Sequence, residues 1–431
     1  MKIFISDIHL LTEEPVSYGY RPISEADVKA LWDDIKDKKV WAGAEWKKVK
    51  DTQCPIELII LGDFIDVIRD PEWLWSSRQK VLQESLRQNF RNEDWKKVVK
   101  EIVDYHTRGP IFARLKELFG NPDLGRKIIY VVGNHDRLIN FIPEACYSIR
   151  KALGQENPDP TRFDSEYICP ELGIYAEHGH KVDSYNYETG CDEDPSKIPI
   201  GDLIVWLLIN AFPARVSRRG LPITVPDKGD FIIPDGLGQF MAELDNLRPT
   251  TLAPEWIEYS YPRFQLDHTF NEIKQAWEEQ FKELSKNLPF WKLHKILPLR
   301  FAASGKLAKS FKKMYEKLAE LLGWGDPNLC QALRYAREKE KYRYFIFGHT
   351  HEACVKLLEE RNDERKYYLN TGTWRRRIIM SSAPCGKIAF APIKTFNYLL
   401  FYESAERPPN SSEMDKRFEL CDLSTGIGEY Q

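Results

Sequence analysis

Five short motifs collect the residue types that hold divalent metal ions: Asp7-Ile8-His9, Gly62-Asp63-Phe64-Ile65-Asp66, Gly133-Asn134-His135-Asp136, His178-Gly179-His180 and Gly348-His349-Thr350-His351. Six of the nine histidines in the chain fall within them. The donors are carboxylate, amide and imidazole without thiolate, a set that suits Mn, Fe, Zn, Co or Ni. The chemistry on offer is that of a bound divalent cation, which acidifies water and polarises oxygen. Taken singly each motif has an ordinary reading, since Gly-Asp after an apolar run is usually a turn and Asp-x-His is a common tripeptide. All five stand at the ends of apolar runs, and that regularity favours a shared site.

The runs that must position them are KIFIS at 2–6, IELIIL at 56–61, KIIYVV at 127–132, GIYAE at 173–177 and YRYFIF at 342–347. Short, β-branched and bounded by Gly, Asn or Asp, they read as buried strands. Alternate residues of an extended segment face the same way, so Asp7 and His9 are expected to reach one ion together, and His349 and His351 repeat the spacing. Polar stretches with helical spacing at 25–49 and 78–119 separate the first strands, which gives an α/β opening. After 366 the runs KYYLN, RRIIM and KIAFAPIKTFNYLLFYE are expected to pair as an antiparallel meander. The expected organisation is a core over 1–184, a mainly helical insertion over 185–341, a second core segment over 342–405 and a loosely attached polar tail over 406–431. Because the insertion leaves beside His180 and returns before Gly348, it is expected to act as a lid.

Composition sets the limits. With 431 residues, 42% hydrophobic and 29% charged, the chain can bury a sizeable core, which excludes wholesale disorder. A net charge of −3 excludes binding of nucleic acid or membrane by overall charge, leaving only local patches. One candidate patch is 292–313, which carries seven Lys or Arg and no acid, and whose favoured reading is a solvated helical face. Arg375, Arg376 and Arg377 are expected mostly at the surface, and His106, His268 and His294 at the surface or in packing. The eight scattered cysteines contain no CxxC pair, and the first motif begins at position 7 with no room for a removable leader, so a cytoplasmic setting is expected. The apolar run at 203–209 is far shorter than the roughly 18–20 residues of a membrane span, so no transmembrane segment is expected.

In type and order the motifs resemble the signature of the calcineurin-like metallophosphoesterase superfamily, over residues 7 to 351 with the insertion outside it. The resemblance implies a four-layer αββα sandwich of two mixed sheets. It also implies two divalent metal ions, with Mn favoured. One would be held by Asp7, His9, Asp63 and His351, the other by Asn134, His178, His349 and the shared Asp63. A hydroxide shared by the ions would attack phosphorus in line, with His135 as acid or charge stabiliser, Asp136 orienting it and Asp66 supporting the loop. In the branch that cleaves the pyrophosphate of UDP-diacylglucosamine the fourth motif reads HGD, whereas this chain reads HGHKVD, and His180 has no role assigned. The expected partner is a phosphorylated substrate, large and amphipathic or polyanionic by the nature of the insertion, with nucleic acid less favoured. The alternatives are a pyrophosphohydrolase on a nucleotide- or lipid-linked diphosphate, a nuclease, or a non-catalytic scaffold, against which the intact ligand set argues.

Overall fold

The computed structural model describes residues 1–12, 23–74, 76–155, 162–212, 244, 246–248, 252–263, 269–300, 326–361, 364–382, 388–408 and 417–424. His268 and Lys306, Lys309, Lys312 and Lys313 of the basic run lie outside them. The chain begins β1 (Lys2–Ile5), α1 (Glu25–Asp37), β2 (Lys39–Ala42), β3 (Glu45–Lys48), β4 (Ile56–Leu61), α2 (Ser76–Arg87), α3 (Asp94–Thr107), α4 (Pro110–Phe119), β5 (Arg126–Val131), α5 (Pro143–Ala152), β6 (Glu166–Cys169) and β7 (Ile174–Glu177). It continues α6 (Ile200–Ile204), β8 (Leu247–Arg248), α7 (Ala253–Ser260), α8 (Phe270–Lys286), α9 (Leu293–Ile296) and α10 (Pro327–Glu338). The remainder is β9 (Tyr344–Phe347), β10 (Cys354–Arg361), β11 (Glu364–Asn370), β12 (Arg376–Ser382), β13 (Ile388–Lys394), β14 (Asn397–Phe401) and β15 (Phe418–Asp422).

Strand alternation organises the first sheet. Ile3 and Ile5 of β1 and Leu58 and Ile60 of β4 face a core shared with α1, α3, α4 and α5, while Phe4, Ile59 and Leu61 face the opposite side. Both faces are buried, which is why these strands read as unbroken apolar runs. The order is β15-β14-β1-β4-β5, with β1, β4 and β5 parallel and β14 antiparallel to both of its neighbours, β1 and β15. Pairing of Ile5 with Ile60 and of Leu61 with Val131 brings the strand ends level, so the first three motifs emerge side by side. The second sheet, β10-β11-β9-β7-β6, is also mixed. Its Ile174, Ala176, Ile346 and Leu369 meet Phe4, Ile59 and Leu61 in one apolar layer. On its other side Ala332 and Ala336 of α10 pack with Phe345, Phe347 and Tyr368.

The insertion builds its own apolar core from residues such as Leu208, Phe212, Trp256 and Trp277, yet Ile378 of β12 belongs to it as well. β8 pairs parallel with β12 in the sheet β13-β12-β8. α6 runs on into a π-helical turn over Val205–Ile209. From that turn Trp206 enters the main core, stacking on Phe90 with 5.3 Å between ring centroids. Asp202 of α6 forms a 2.6 Å ion pair with Arg137, and both residues are buried. Segment 200–212 is thus seated on the main core at these two points.

Several expectations give way. The helix expected over 25–49 stops at Asp37, and 39–48 form a hairpin because Gly43 and Ala44 both take positive φ, 63° and 69°, and turn the chain. The expected meander holds for one pair: β12 and β13 are antiparallel neighbours, whereas β11 lies parallel to β9, and the third run divides so that β14 inserts beside β1. Alternating apolar residues without a Gly break hid the end of β13. Residues 418–422 of the expected loose tail are the edge strand β15, with Phe418 packed on Phe401 and Tyr344. The boundary at 341 takes in α10, which covers the second sheet, because amphipathic spacing is the same whichever body a helix packs on. Among the described residues no helix is long and apolar enough to cross a membrane.

Candidate metal centre

The motif backbone is not extended. Asp7 and His9 have φ of 54°, Asp63 of 53°, His349 of 67° and His351 of 62°. These left-handed turns, rare for residues with a Cβ, curl the chain so that near neighbours aim at one point without strand alternation. Backbone bonds hold them in place, from Asp7 N to Gly62 O at 3.2 Å and from His9 N to Asp63 O at 2.8 Å. Gly62, at φ 81°, gives room as well as a turn, since a Cβ there would lie 2.5 Å from His178 Nδ1. A Cβ on Gly133 would lie 2.3 Å from Asp63 Oδ1.

Each carboxylate gives one oxygen to the backbone and turns the other to the imidazoles. Asp7 Oδ2 accepts from Ser6 Oγ and from His349 N at 2.9 Å, whereas the buried Oδ1 has no hydrogen-bond partner. Around that oxygen stand the Nε2 atoms of His351 at 3.2 Å, His9 at 3.8 Å and His178 at 3.9 Å. Asp63 Oδ1 accepts from His135 N at 2.8 Å, while Oδ2 lies 3.2 Å from His178 Nε2 and 3.8 Å from His9 Nε2. Two donor sets result, Asp7 with His9 and His351, and Asp63 with His178 and His349, the ligand atoms within each set all lying within 4.8 Å of one another; His9, Asp66 and His135 form a further group of the same spacing. Asn134 Oδ1 joins the second set, 3.2 Å from His178 Nε2. Asp63 Oδ2 lies between the two.

Outer partners fix which nitrogen of His178 and of His9 is turned inward. The Leu61 carbonyl, 2.8 Å from His178 Nδ1, only accepts, so Nδ1 carries hydrogen and the Nε2 lone pair confronts carboxylate and amide oxygens. His9 Nδ1 lies 2.9 Å from Asp66 Oδ2, and its Nε2 faces His351 Nε2 at 3.1 Å. Acceptors facing acceptors in a buried space are satisfied either by a cation between them or by protons on the rings. Burial opposes a charge on His178, but Asp63 and Asp7 outweigh it and hold the imidazole up to about 10. Burial likewise works against ionised Asp7 and Asp63, yet the adjacent imidazoles, His178 foremost, hold both well below the usual carboxylate range. The residues present therefore fit divalent metal ions, whose binding would displace these protons.

The expected roles divide differently among the neighbours. His135 is oriented by Asp66, whose Oδ1 lies 2.6 Å from its Nδ1, and not by Asp136. Asp136 faces inward, accepting from Tyr130 Oη at 2.6 Å, Gly133 N at 2.5 Å and Phe64 N at 3.2 Å, and so pins the loop. Burial, then the charge of Asp63, pushes its carboxyl up to about 7. His180 is buried with neither ring nitrogen hydrogen-bonded, and burial pushes it down to about 4, a neutral ring packed 5.5 Å from that of His178. Asp183 was not singled out by its sequence context. Its Oδ2 lies 3.0 Å from His349 Nε2, and although burial opposes its charge, His349 holds it down to about 2. Also unforeseen, Thr371 Oγ1 lies 2.6 Å from Ser6 Oγ, Thr373 Oγ1 donates to Asp7 O at 2.6 Å, and Asn370 Nδ2 donates to Gly348 O at 2.8 Å. Arg375, in the same segment, is buried and not at the surface. Comparison with known families finds no family model that matches the chain, and comparison with curated proteins finds no match.

Proposed function

We propose that the chain is a dinuclear metal-dependent phosphohydrolase, with the calcineurin-like metallophosphoesterase superfamily as its family and a four-layer αββα sandwich as the architecture of its two packed sheets. The observation that supports this best is the bare Asp7 Oδ1, surrounded by three imidazole Nε2 atoms at 3.2 to 3.9 Å, with Asp63 Oδ2 3.2 Å from one of them, His178 Nε2. Asp7, His9, Asp63 and His351 would hold one ion, and Asn134, His178, His349 and Asp63 the other. Two such cations, with Mn favoured, supply an acidified water and neutralise the oxygens of a phosphoryl group. His135 stands outside both sets and is 15% exposed along its side chain, so solvent and ligand can reach it. With Nδ1 held by Asp66, its Nε2 is the nitrogen available to protonate a leaving oxygen or to stabilise charge on it. A phosphate ester is the substrate class that uses both features.

Metal analysis together with hydrolysis of p-nitrophenyl phosphate and bis(p-nitrophenyl) phosphate tests the reading. The parent is expected to carry two metal equivalents and to turn over at least one ester. Asp63→Ala removes the residue common to both sets and should lose both ions and all activity. Full turnover by that variant with two metals bound would overturn the assignment.

A further inference from the structure

We propose that Asp183 is the positioning residue of the second ion site, fixing the ring of His349 and tying that ligand to the first turn of the insertion. The inference rests on the metal reading above. Asp183 follows the 3-10 turn His180–Val182, close to the point where the chain leaves the core. Its Oδ2 lies 3.0 Å from His349 Nε2 and accepts from Asn186 Nδ2 at 2.7 Å, while Oδ1 accepts from Tyr185 N at 2.8 Å. An ionised carboxylate only accepts, so His349 carries its hydrogen on Nε2 and offers Nδ1 to the ion. Without Asp183 the two tautomers compete and the ring can turn. Loss of such an outer partner usually weakens metal binding by about 10–100-fold.

The same carboxylate belongs to a braced turn. Tyr185 O accepts from Gly201 N at 2.7 Å, Tyr185 Oη donates to Lys295 O at 2.9 Å, and Lys295 Nζ donates to Ser184 O at 3.0 Å. The turn is thereby held between α6 and α9. There is little slack, because a Cβ on Gly201 would lie 2.3 Å from Asn186 Oδ1. Two other rings are oriented from the core, His9 by Asp66 and His178 by the Leu61 carbonyl. The second site is thus coupled to the insertion through a ligand's own hydrogen bond. Coupling is reciprocal, so filling that site should in turn order residues 183–186.

The experiment titrates Mn²⁺ into metal-free full-length parent, Asp183→Ala and Asp183→Asn by calorimetry, with electron paramagnetic resonance to detect an exchange-coupled pair and amide exchange over 183–212. The parent should bind two ions, show the coupled signal and gain protection in this segment. Asp183→Ala should keep one site at parental affinity, weaken the other by about 10–100-fold and lose the metal-induced protection. Asp183→Asn, whose amide oxygen still accepts from Nε2, should recover most of the second-site affinity, and it decides the matter if the alanine variant does not fold. Unchanged affinity at both sites, or equal weakening of both, would overturn the role given to Asp183. A parent that binds fewer than two ions would instead overturn the metal reading and this inference with it.

Discussion

Asp66→Asn separates the two tasks that one carboxylate performs. Asp66 is fully buried, with Oδ2 2.9 Å from His9 Nδ1 and Oδ1 2.6 Å from His135 Nδ1. Oδ1 also accepts from Arg69 N at 2.9 Å. An asparagine has one accepting oxygen and one donating nitrogen, so it cannot serve both imidazoles. The oxygen should stay where two donors converge, beside His135 and Arg69 N, leaving the amide nitrogen against the N–H of His9. A charge-assisted bond is worth about 1.5–3 kcal/mol net, which is roughly 10- to 150-fold in an equilibrium. The first ion should therefore bind about 10–100-fold more weakly while the second is nearly unaffected. Removing the charge acts on His135 too. Burial opposes protonation of that ring, but Asp66 and then Asp63 outweigh it and raise its pKa, so a neutral residue at 66 must lower it. A group that acts as an acid then loses its proton earlier as pH rises, and the alkaline limb of kcat should move to lower pH at saturating Mn²⁺. Calorimetric titration and the pH profile of bis(p-nitrophenyl) phosphate hydrolysis read the two effects separately. An unmoved alkaline limb would refute His135 as the acid, and unchanged affinity at the first site would refute the orienting role at His9.

Two further outcomes follow from groups outside the centre. Arg137→Ala leaves Asp202 buried without its partner and should cost about 3–5 kcal/mol in urea unfolding, with early proteolytic cleavage near 200–212, whereas Arg137→Met with Asp202→Leu should recover most of the loss. A single variant as stable and resistant as the parent would mean that the insertion is not seated on the core by this pair. Asp70 is fully buried and accepts from Thr12 N, Thr12 Oγ1 and Glu72 N, yet burial outweighs those bonds and pushes its carboxyl up to about 7. Because the folded value is raised, its contribution to stability is complete below the ordinary carboxylate range and is lost as pH rises toward 7, by at most about 4 kcal/mol. Asp70→Asn should flatten the unfolding free energy between about pH 4 and 7. A slope equal to the parent's would count against the shift.

The parts of the centre that were legible are those written in residue type and order. The five motifs stand at the ends of the strands that their apolar runs announce, and the structure brings Asp7, His9, Asp63, Asn134, His178, His349 and His351 together. Short unbroken apolar runs recovered β1, β4, β5, β7 and β9 because both faces of these strands are largely buried. After 366 the expected pairing held for β12 with β13, but β11 and β14 join two other sheets. Nothing local distinguishes a strand that pairs with its neighbour from one that crosses over. Sequence adjacency misled at Asp136, which follows His135 directly but turns inward to Tyr130 and the backbone of Gly133. Asp183 lies far along the chain from His349, and no spacing rule joins them.

The strained backbone explains why the ligand geometry itself could not be read. Positive φ at Asp7, His9, Asp63, His349 and His351 costs on the order of 1–3 kcal/mol per residue, and isolated left-handed residues leave no periodic trace in a sequence. Such strain persists only where the surroundings over-determine it. Here the surroundings are fully committed: Gly62 and Gly133 leave no room for a Cβ, Ser6, Thr371, Thr373 and Asn370 bind the loop backbones to one another, and the sheet registers fix where each loop starts. None of these restraints involves an ion. The donor atoms are consequently held close to one another before any cation arrives, and little ordering remains to be done on binding. Asp7 Oδ1, which no hydrogen bond satisfies, and Asp63 Oδ2, which faces His178 and His9, are then the carboxylate oxygens turned toward a cation.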